Sequence, residues 1–208
     1  WQPFAYEQSD TSVTIILSSV MVKMGLFAVL RWVLPVFPHA TVSYSHLIII
    51  LGVISLLYAS VIAVRQNDLK KLIAYSSIAH IGLMCAAIFT GTVPGMQGVM
   101  VQMFNHGIIV AGLWLTVEVI ETQYGTRKIS ELGGLAQHAP VLATLLMIMV
   151  LGNIALPLTS GFIGEFLMFS GLFQYNIIIG AVGLISIILS AIYSFNMVQN
   201  VFYGHTLP

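Results

Sequence analysis

Six long apolar segments constrain this chain more than any other feature of its sequence. They cover residues 12–34, 47–64, 72–89, 95–119, 140–173 and 177–198. Each is long enough to cross the ~30 Å hydrocarbon core of a bilayer as a helix, which takes about 20 residues. A membrane barrel would need short strands of alternating polarity, and the sequence has none. The sequence therefore predicts an all-α, polytopic transmembrane helix bundle.

Composition narrows the class of protein further. Hydrophobic residues make up 58% of the chain and charged residues 7%, whereas a soluble domain has about 25% charged residues. This excludes a soluble enzyme, and a formal net charge of zero argues against nucleic-acid partners. The single cysteine, Cys85, excludes an intrachain disulfide or a thiolate metal site. No phosphate-binding loop, Ser/His/Asp arrangement or cofactor motif is present.

The basic residues predict the orientation of the bundle. With six crossings, one side carries both termini and most of the basic residues, and the other side carries only Arg31. The positive-inside rule then places both termini in the cytoplasm. We interpret the charged residues on the cytoplasmic side as solvated loop positions: Arg65, Asp68, Lys70, Lys71, Arg127, Lys128 and Glu131. The chain starts at Trp1 rather than Met, so we expect it to be part of a longer protein.

The fifth segment contains an interruption. Residues 139–173 carry one formal charge, Glu165, and exceed the length of a single crossing. Pro157 lacks a backbone N–H and leaves the carbonyl of Asn153 without a helical partner, and Gly161 follows closely. Broken backbone at membrane depth is tolerated only inside protein or beside a wet cavity. A break at Pro157 and Gly161 followed by a carboxyl group indicates an ion or proton site; a Pro-kinked helix with Glu165 near the interface is the alternative.

Four titratable side chains lie inside the spanning segments, on four separate helices: Lys23, His80, His106 and Glu165. Each costs roughly 2.5–3.5 kcal/mol at mid-membrane by insertion scales, so such residues usually face a polar interior. Together they predict a set of polar side chains that face one another in the interior of the bundle. Lys23 is too deep to reach the interface easily. It is either a proton carrier or a structural lysine bonded to a neighbouring carbonyl.

The two histidines share their helices with other polar side chains. Imidazole titrates near neutrality, which favours proton transfer, although a hydrogen-bonded core histidine remains the alternative. A metal site is disfavoured because neither helix has a second ligand at the expected spacing. The supporting polar residues are Tyr75, Ser76, Ser77, Gln102 and Asn105.

Several motifs carry a resemblance to a known family. They are residues 22–25 (Val-Lys-Met-Gly) followed by 30–32 (Leu-Arg-Trp), 67–77 (Asn-Asp-Leu-Lys-Lys-Leu-Ile-Ala-Tyr-Ser-Ser) with 79–82 (Ala-His-Ile-Gly), 102–107 (Gln-Met-Phe-Asn-His-Gly), 126–127 (Thr-Arg) with 133–135 (Gly-Gly-Leu), and 156–157 (Leu-Pro) through 161–166 (Gly-Phe-Ile-Gly-Glu-Phe). With them the chain resembles, over essentially all its length, the antiporter-like subunit M family of respiratory complex I, the proton-pumping NADH:quinone oxidoreductase. The mitochondrial counterpart is NADH dehydrogenase chain four.

The resemblance implies an antiporter-like fold of two inverted repeats, each with a broken helix. Residues 1–208 would be a partial domain, truncated at both ends, that holds the last helix of the first repeat and the second repeat. Lys23 matches the family's lysine between two half-channels, and His80 and His106 match its central histidines. Glu165 matches the glutamate of the broken helix, which hands the proton toward the outer side. Residues 1–6 and 9–11 depart from the usual family pattern but leave this relay intact.

The implied function is proton translocation through a Lys-His-His-Glu relay, coupled to quinone reduction elsewhere in the complex. This chain would hold no redox active site and no cofactor, with FMN, iron–sulfur clusters and quinone bound elsewhere. Its expected partners are lipid and other membrane subunits, especially neighbouring antiporter-like subunits, in the bacterial inner membrane. Two alternatives stay open: a subunit of a multisubunit cation/proton antiporter or membrane-bound hydrogenase, and a structural scaffold whose buried charges hold helices together.

Overall fold

The computed structural model describes residues 1–204. In chain order its helices are α1 (Gln2–Gln8), α2 (Thr11–Val36), α3 (Pro38–Val64), α4 (Leu69–Phe89), α5 (Val93–Tyr124), α6 (Leu135–His138), α7 (Pro140–Asn153), α8 (Ser160–Tyr175) and α9 (Ile177–Phe202). Within that range α2, α3, α4, α5 and α9 are long and apolar enough to cross a membrane. This confirms the all-α, polytopic architecture. The fifth predicted segment is divided between α7 and α8, so the predicted broken helix is also confirmed.

Local sequence signals set the ends of the helices. The side chain of Asp68 accepts a hydrogen bond from the Lys71 N–H at 3.1 Å and so caps α4. Asn176 caps α9 by accepting from the Ile178 N–H at 2.9 Å. Gly125 ends α5 with a left-handed φ of 69°, which glycine adopts at little steric cost.

Several helices extend beyond the apolar segments that predicted them, α3 and α5 by the most residues. α3 begins at Pro38 rather than near residue 47, and α5 continues to Tyr124 rather than residue 119. In the first turns of α3, the hydroxyls of Thr41 and Ser43 donate to carbonyls one turn earlier, at 2.8 and 2.9 Å. Polar residues that bond to their own helix backbone can continue a helix past its apolar part, so hydropathy alone underestimates these lengths.

The helix that carries Lys23 contains two wide turns. π-helical turns occupy Leu17–Met21 and Val29–Val33, on either side of the α-helical stretch Val22–Ala28. Single π-turns inside α-helices are rare and occur frequently at functional sites. The sequence analysis did not predict them.

Two apolar clusters form the core. The first contains Tyr6, Leu69 and Trp114, and the second contains Ile49 and Leu83. Along α4, residues 72–74 belong to the first cluster and residues 79, 83 and 84 to the second. Buried polar side chains separate the clusters at mid-depth, and we call them the polar layer: Lys23, Ser60, Ser76, Ser77, His80, Gln102, His106, Asn153, Glu165, Ser186 and Ser190.

α3 and α4 pack closely because glycines lie at their crossing. A Cβ atom added at Gly82 would lie 2.8 Å from the carbonyl oxygen of Gly52, and one at Gly52 would lie 2.9 Å from that of Gly82. Helices in membranes associate through such small residues, which let the backbones come into contact. This contact holds α4, and with it His80, in place.

We expect Gly82→Ala to lower the apparent melting temperature of the purified protein in detergent. The added methyl group meets backbone rather than a movable side chain, and overpacking of this kind costs about 1–3 kcal/mol. Gly25→Ala is the matched control, because a Cβ there meets nothing within 4 Å and alanine favours the helix by up to about 1 kcal/mol. Equal melting temperatures for the two variants would contradict the proposed packing.

Candidate functional site

His80 and Glu165 form the most direct contact in the polar layer. His80 Nδ1 of α4 lies 3.2 Å from Glu165 Oε1 of α8, and the two side chains are only 7% and 9% exposed. One proton between these atoms satisfies both: either the imidazole N–H donates to the carboxylate, or the carboxylic acid donates to the nitrogen. The pair can therefore exchange a proton without moving either helix.

A second histidine, His106, lies beside His80. The ring centres of His80 and His106 are 4.7 Å apart, with an angle of 54° between the planes. Among residues 1–204, neither ring nitrogen of His106 nor Nε2 of His80 has a hydrogen-bond partner. Buried polar atoms are normally satisfied by protein or by ordered water. These unpaired nitrogens are therefore an exception among buried polar groups.

Lys23 lies on the neighbouring helix. It is 7% exposed, and its ammonium donates to the carbonyl of Ser18. The two helices touch where a Cβ at Gly107 would lie 3.0 Å from the carbonyl oxygen of Ser19. Lys23 thus lies beside the helix that carries His106, at a groove it shares with Gly107, while its hydrogen bond goes to its own helix.

Ser76 joins two further elements to the polar layer. Its Oγ lies 3.0 Å from the hydroxyl of Tyr193 on α9 and accepts from Nδ2 of Asn153 at 3.1 Å. The sequence analysis did not include Tyr193. The signal that could have found it is the spacing of Ser186, Ser190 and Tyr193, which places them on one face of a helix.

The other predicted supporting residues differ in their roles. Ser77 Oγ and Gln102 Oε1 are buried and have no hydrogen-bond partner within residues 1–204. Asn105 is hydrogen-bonded to α8: its Nδ2 donates to the carbonyl of Ser160 at 2.7 Å and holds the start of that helix. Tyr75 packs against both apolar clusters.

The helix break lies between α7 and α8. Pro157 is inside it, and Ala155 and Leu158 adopt left-handed φ values of 56° and 80°, which cost non-glycine residues roughly 1–2 kcal/mol each. Gly161, predicted as part of the break, lies instead in the first turn of α8. It is needed there for packing, because a Cβ would collide with the carbonyl oxygen of Gly152.

Glu165 stands on α8 beyond the break. It is 7% exposed and lies in the polar layer beside His80. A glutamate at the membrane interface would be in contact with water. The structure therefore supports the interpretation of a buried carboxyl group behind the broken helix rather than that of an interfacial glutamate.

Some of the charged residues predicted as solvated loop positions form an ionic cluster with Glu7 and Glu121 at one end of the bundle. Arg127 Nε bonds Asp68 at 2.7 Å, and its Nη2 bonds Glu7 at 2.9 Å. The ammonium of Lys70, which is 7% exposed, lies 2.7 Å from Glu121. The prediction was wrong for Asp68, Lys70 and Arg127 because charges from loops distant in sequence neutralise one another once the helices pack. Three others stay exposed as predicted: Arg65, Lys128 and Glu131.

This cluster also connects the loops. The backbone N–H of Leu69 donates to the carbonyl of Arg127 at 3.1 Å, and that of Ile129 donates to Asn67 at 2.8 Å. Partial burial lowers the pKa of Arg127, but its bonds with Asp68 and the nearby carboxylates outweigh that effect and raise the pKa. Arg127 therefore stays charged and holds the loops before α4 and after α5 together.

We expect Arg127→Lys to weaken this connection. A lysine ammonium cannot bridge several carboxylates with the fixed geometry of a guanidinium, and we expect a loss of about 1–2 kcal/mol in unfolding free energy, since water partly screens the site. Lys128→Gln is the control, because Lys128 is exposed and its pair with Glu131 lies in water. Thermal unfolding in detergent measures both; a larger loss for the control would contradict the role of Arg127.

The metal-binding potential of the described region is small. Within residues 1–204, no group of three or more His, Cys, Asp or Glu side chains could hold a metal ion. The titratable groups of the polar layer are arranged in a line, helix to helix, rather than around a point. This arrangement suits transfer of a proton along the layer.

The fold and the site define a class of protein: a polytopic helical membrane protein with a broken helix and a buried line of titratable residues, as in secondary transporters. The family model described as NADH:quinone oxidoreductase/Mrp antiporter, transmembrane, matches residues 1–192. The chain therefore belongs to this family, which confirms the resemblance of its motifs.

Individual relatives agree with this assignment. The chain is 41% identical over 204 residues to NADH-quinone oxidoreductase subunit M of Rickettsia prowazekii, and the match covers 98% of the chain and 42% of that relative. Respiratory complex I from Thermus thermophilus contains a chain with a TM-score of 0.95 and 31% identity, matched over all of this chain and 44% of that one. The Mrp complex of Dietzia sp. DQ12-45-1b gives a TM-score of 0.93 at 22% identity, over all of this chain and 39% of that one, which shows the shared fold. The chain thus spans less than half the length of these relatives.

Proposed function

We propose that this chain is part of an antiporter-like subunit of NADH:quinone oxidoreductase and translocates protons along Lys23, His106, His80 and Glu165. The observation that carries the proposal is the 3.2 Å contact of His80 with Glu165, continued by the 4.7 Å spacing of the two imidazole rings. A chain of groups at these distances can pass a proton in short steps. The energy would come from quinone reduction elsewhere in the complex.

The relay works in three transfers. A proton released by the ammonium of Lys23 reaches His106 through water. His106 then passes a proton to His80, whose ring centre is 4.7 Å away and whose Nε2 has no protein partner within residues 1–204. His80 then delivers a proton directly to Glu165. Imidazole suits both middle positions because it accepts at one nitrogen and releases from the other.

The unpaired nitrogens favour the relay over a structural scaffold. A buried polar group without a partner costs about 1–3 kcal/mol, so residues selected only to hold helices together should be paired. His106 has no protein partner for either nitrogen within the described residues. A function that needs water beside the ring explains that cost.

A subunit of a cation/proton antiporter is the second candidate. The Mrp complex shares the fold, but the relative with 41% identity is a subunit of NADH-quinone oxidoreductase. The higher identity favours the oxidoreductase. The genes next to this one distinguish the two, since we expect them to encode the other oxidoreductase subunits.

The proposed setting is a bacterial inner membrane with both termini in the cytoplasm. The chain is a membrane protein by its helices, and the ionic cluster joins α1 to the loops on the basic side of the bundle. Exposed apolar residues on α2, including Met21, Met24 and Phe27, would face lipid, neighbouring antiporter-like subunits or other membrane subunits. FMN, iron–sulfur clusters and quinone would be bound elsewhere in the complex, with no redox site in this chain.

Glu165→Gln in the complete complex tests the proposal. Glutamine keeps the size of the side chain and a hydrogen bond to His80 but cannot release a proton. We expect NADH-driven proton uptake into inverted membrane vesicles to fall at least about tenfold, because one relay member is lost. NADH oxidation and assembly of the complex are measured on the same membranes.

Glu131→Gln is the matched control, since Glu131 lies in the exposed loop and pairs with Lys128. We expect its pumping to equal that of the unmodified complex. Normal pumping by an assembled Glu165→Gln complex would remove Glu165 from the relay. Loss of assembly in that variant, together with normal pumping by an assembled Lys23→Met complex, would favour the scaffold interpretation.

A further inference from the structure

Gln102 lies on α5, one helical turn before His106, and takes no part in the proton transfers of the relay. Its side chain is 2% exposed and packs against α8 at Gly164, the residue that precedes Glu165. A Cβ atom added at Gly164 would lie 2.9 Å from the Cβ of Gln102 and would collide with its Oε1. Glycine at position 164 therefore leaves room for the Gln102 amide inside the polar layer.

The amide oxygen of Gln102 is unpaired. It is buried and has no hydrogen-bond partner within residues 1–204, whereas most buried side-chain polar atoms have at least one. An amide oxygen only accepts hydrogen bonds, so the group that satisfies it must donate an N–H or an O–H. In a buried layer that donor has to be a neighbouring group.

His106 is the neighbour best placed to donate. Residues four apart on a helix are neighbours, and glutamine forms hydrogen bonds at this spacing. Side chains on a helix lean toward its N-terminus, which directs the ring of His106 toward Gln102. Both nitrogens of His106 are buried without a partner within residues 1–204, and neutral imidazole has one N–H to donate.

The titratable groups around His106 have other partners or the wrong chemistry for this position. His80 of α4 faces the ring, and its Nδ1 lies 3.2 Å from Glu165 of α8. Lys23 of α2 donates to the carbonyl of Ser18 and, as an ammonium, has no lone pair to accept an N–H. Gln102 is thus a neutral acceptor beside His106 that adds no charge to the polar layer.

We propose that Gln102 positions His106 in the relay by accepting the hydrogen of one ring nitrogen. This hydrogen bond favours the tautomer with its N–H on the Gln102 side, and it leaves the lone pair of the other nitrogen free for the proton that comes from Lys23. After the imidazolium has passed a proton on, the amide oxygen favours return to the same tautomer. Gln102 exchanges no proton itself. This role rests on the proposed function of His106.

Gln102→Met in the complete complex tests this role, because methionine keeps the length of the side chain and removes the acceptor. We expect NADH-driven proton uptake into inverted membrane vesicles to fall about fivefold, the order expected for one lost hydrogen bond. NADH oxidation and assembly of the complex are measured on the same membranes.

Gln102→Glu keeps an acceptor of the same size at this position. Its negative charge holds the proton of an imidazolium more tightly, so a higher pH is needed to deprotonate the ring. We expect pumping to exceed that of Gln102→Met, with a pH optimum about one unit above that of the unmodified complex. A residue that only filled space would not move the optimum.

Thr116→Val is the matched control. Thr116 lies on the same helix, is 6% exposed, and donates to the carbonyl of Gly112 at 2.8 Å. Valine keeps the shape of the side chain and removes a hydroxyl that serves only its own helix. Pumping and its pH optimum should stay unchanged.

The outcomes separate the role of Gln102 from the relay. Normal pumping by an assembled Gln102→Met complex, with pumping lost in Glu165→Gln, overturns the role of Gln102 and leaves the relay in place. Normal pumping by both variants overturns the relay as well. Equal losses in Gln102→Met and Gln102→Glu, with an unchanged pH optimum, would show a packing residue and overturn the proposed hydrogen bond. If Gln102→Met fails to assemble, the pH optimum of Gln102→Glu decides, and an unchanged optimum overturns the role.

Ser77 provides a further check, because its Oγ is also buried without a partner within residues 1–204 and a hydroxyl can donate to an amide oxygen. A fivefold fall in Ser77→Ala, with no further fall in Ser77→Ala/Gln102→Met, would make Ser77 the donor and overturn the bond with His106. We expect the double variant to pump less than Ser77→Ala alone.

Discussion

The cost of burying polar groups in an apolar bundle governs this structure. An unpaired amide or hydroxyl costs several kcal/mol in a medium that cannot form hydrogen bonds, and lipid offers no partners. Part of the polar layer meets this cost by placing polar side chains of different helices opposite one another. His80 faces Glu165, and Ser76 faces both Asn153 and Tyr193. Apolar clusters above and below the layer then pack without polar interruption.

The broken helix follows from the same constraint. Unwinding between α7 and α8 exposes backbone groups that need partners at membrane depth. Asn105 supplies one by donating to the carbonyl of Ser160, and Asn153 turns its side chain to Ser76. The break in turn starts a new helix, α8, which carries Glu165 to His80. The backbone interruption therefore positions the buried carboxyl group that contacts His80.

Charge is distributed in two separate ways. At one end of the bundle, Arg127 is surrounded by carboxylates that neutralise it and join distant loops. Within the polar layer, in contrast, nitrogens of His80 and His106 have no partner among the described residues. The first arrangement is a network of ion pairs, whereas the second leaves buried nitrogens unpaired within residues 1–204. This difference separates a structural cluster from a candidate pathway.

The sequence by itself determined the all-helical bundle, the interruption at Pro157 and the four titratable residues that lie inside the spanning segments. These properties depend on segment length, missing backbone donors and hydropathy, all of which are local. Only the tertiary structure decided that His80 meets Glu165, that Ser76 bonds both Tyr193 and Asn153, and that Gly161 is a packing residue. It also decided that Lys70 and Arg127 are engaged in ion pairs rather than solvated. Such contacts join residues far apart in the chain, and their geometry depends on how helices cross, which local patterns do not contain.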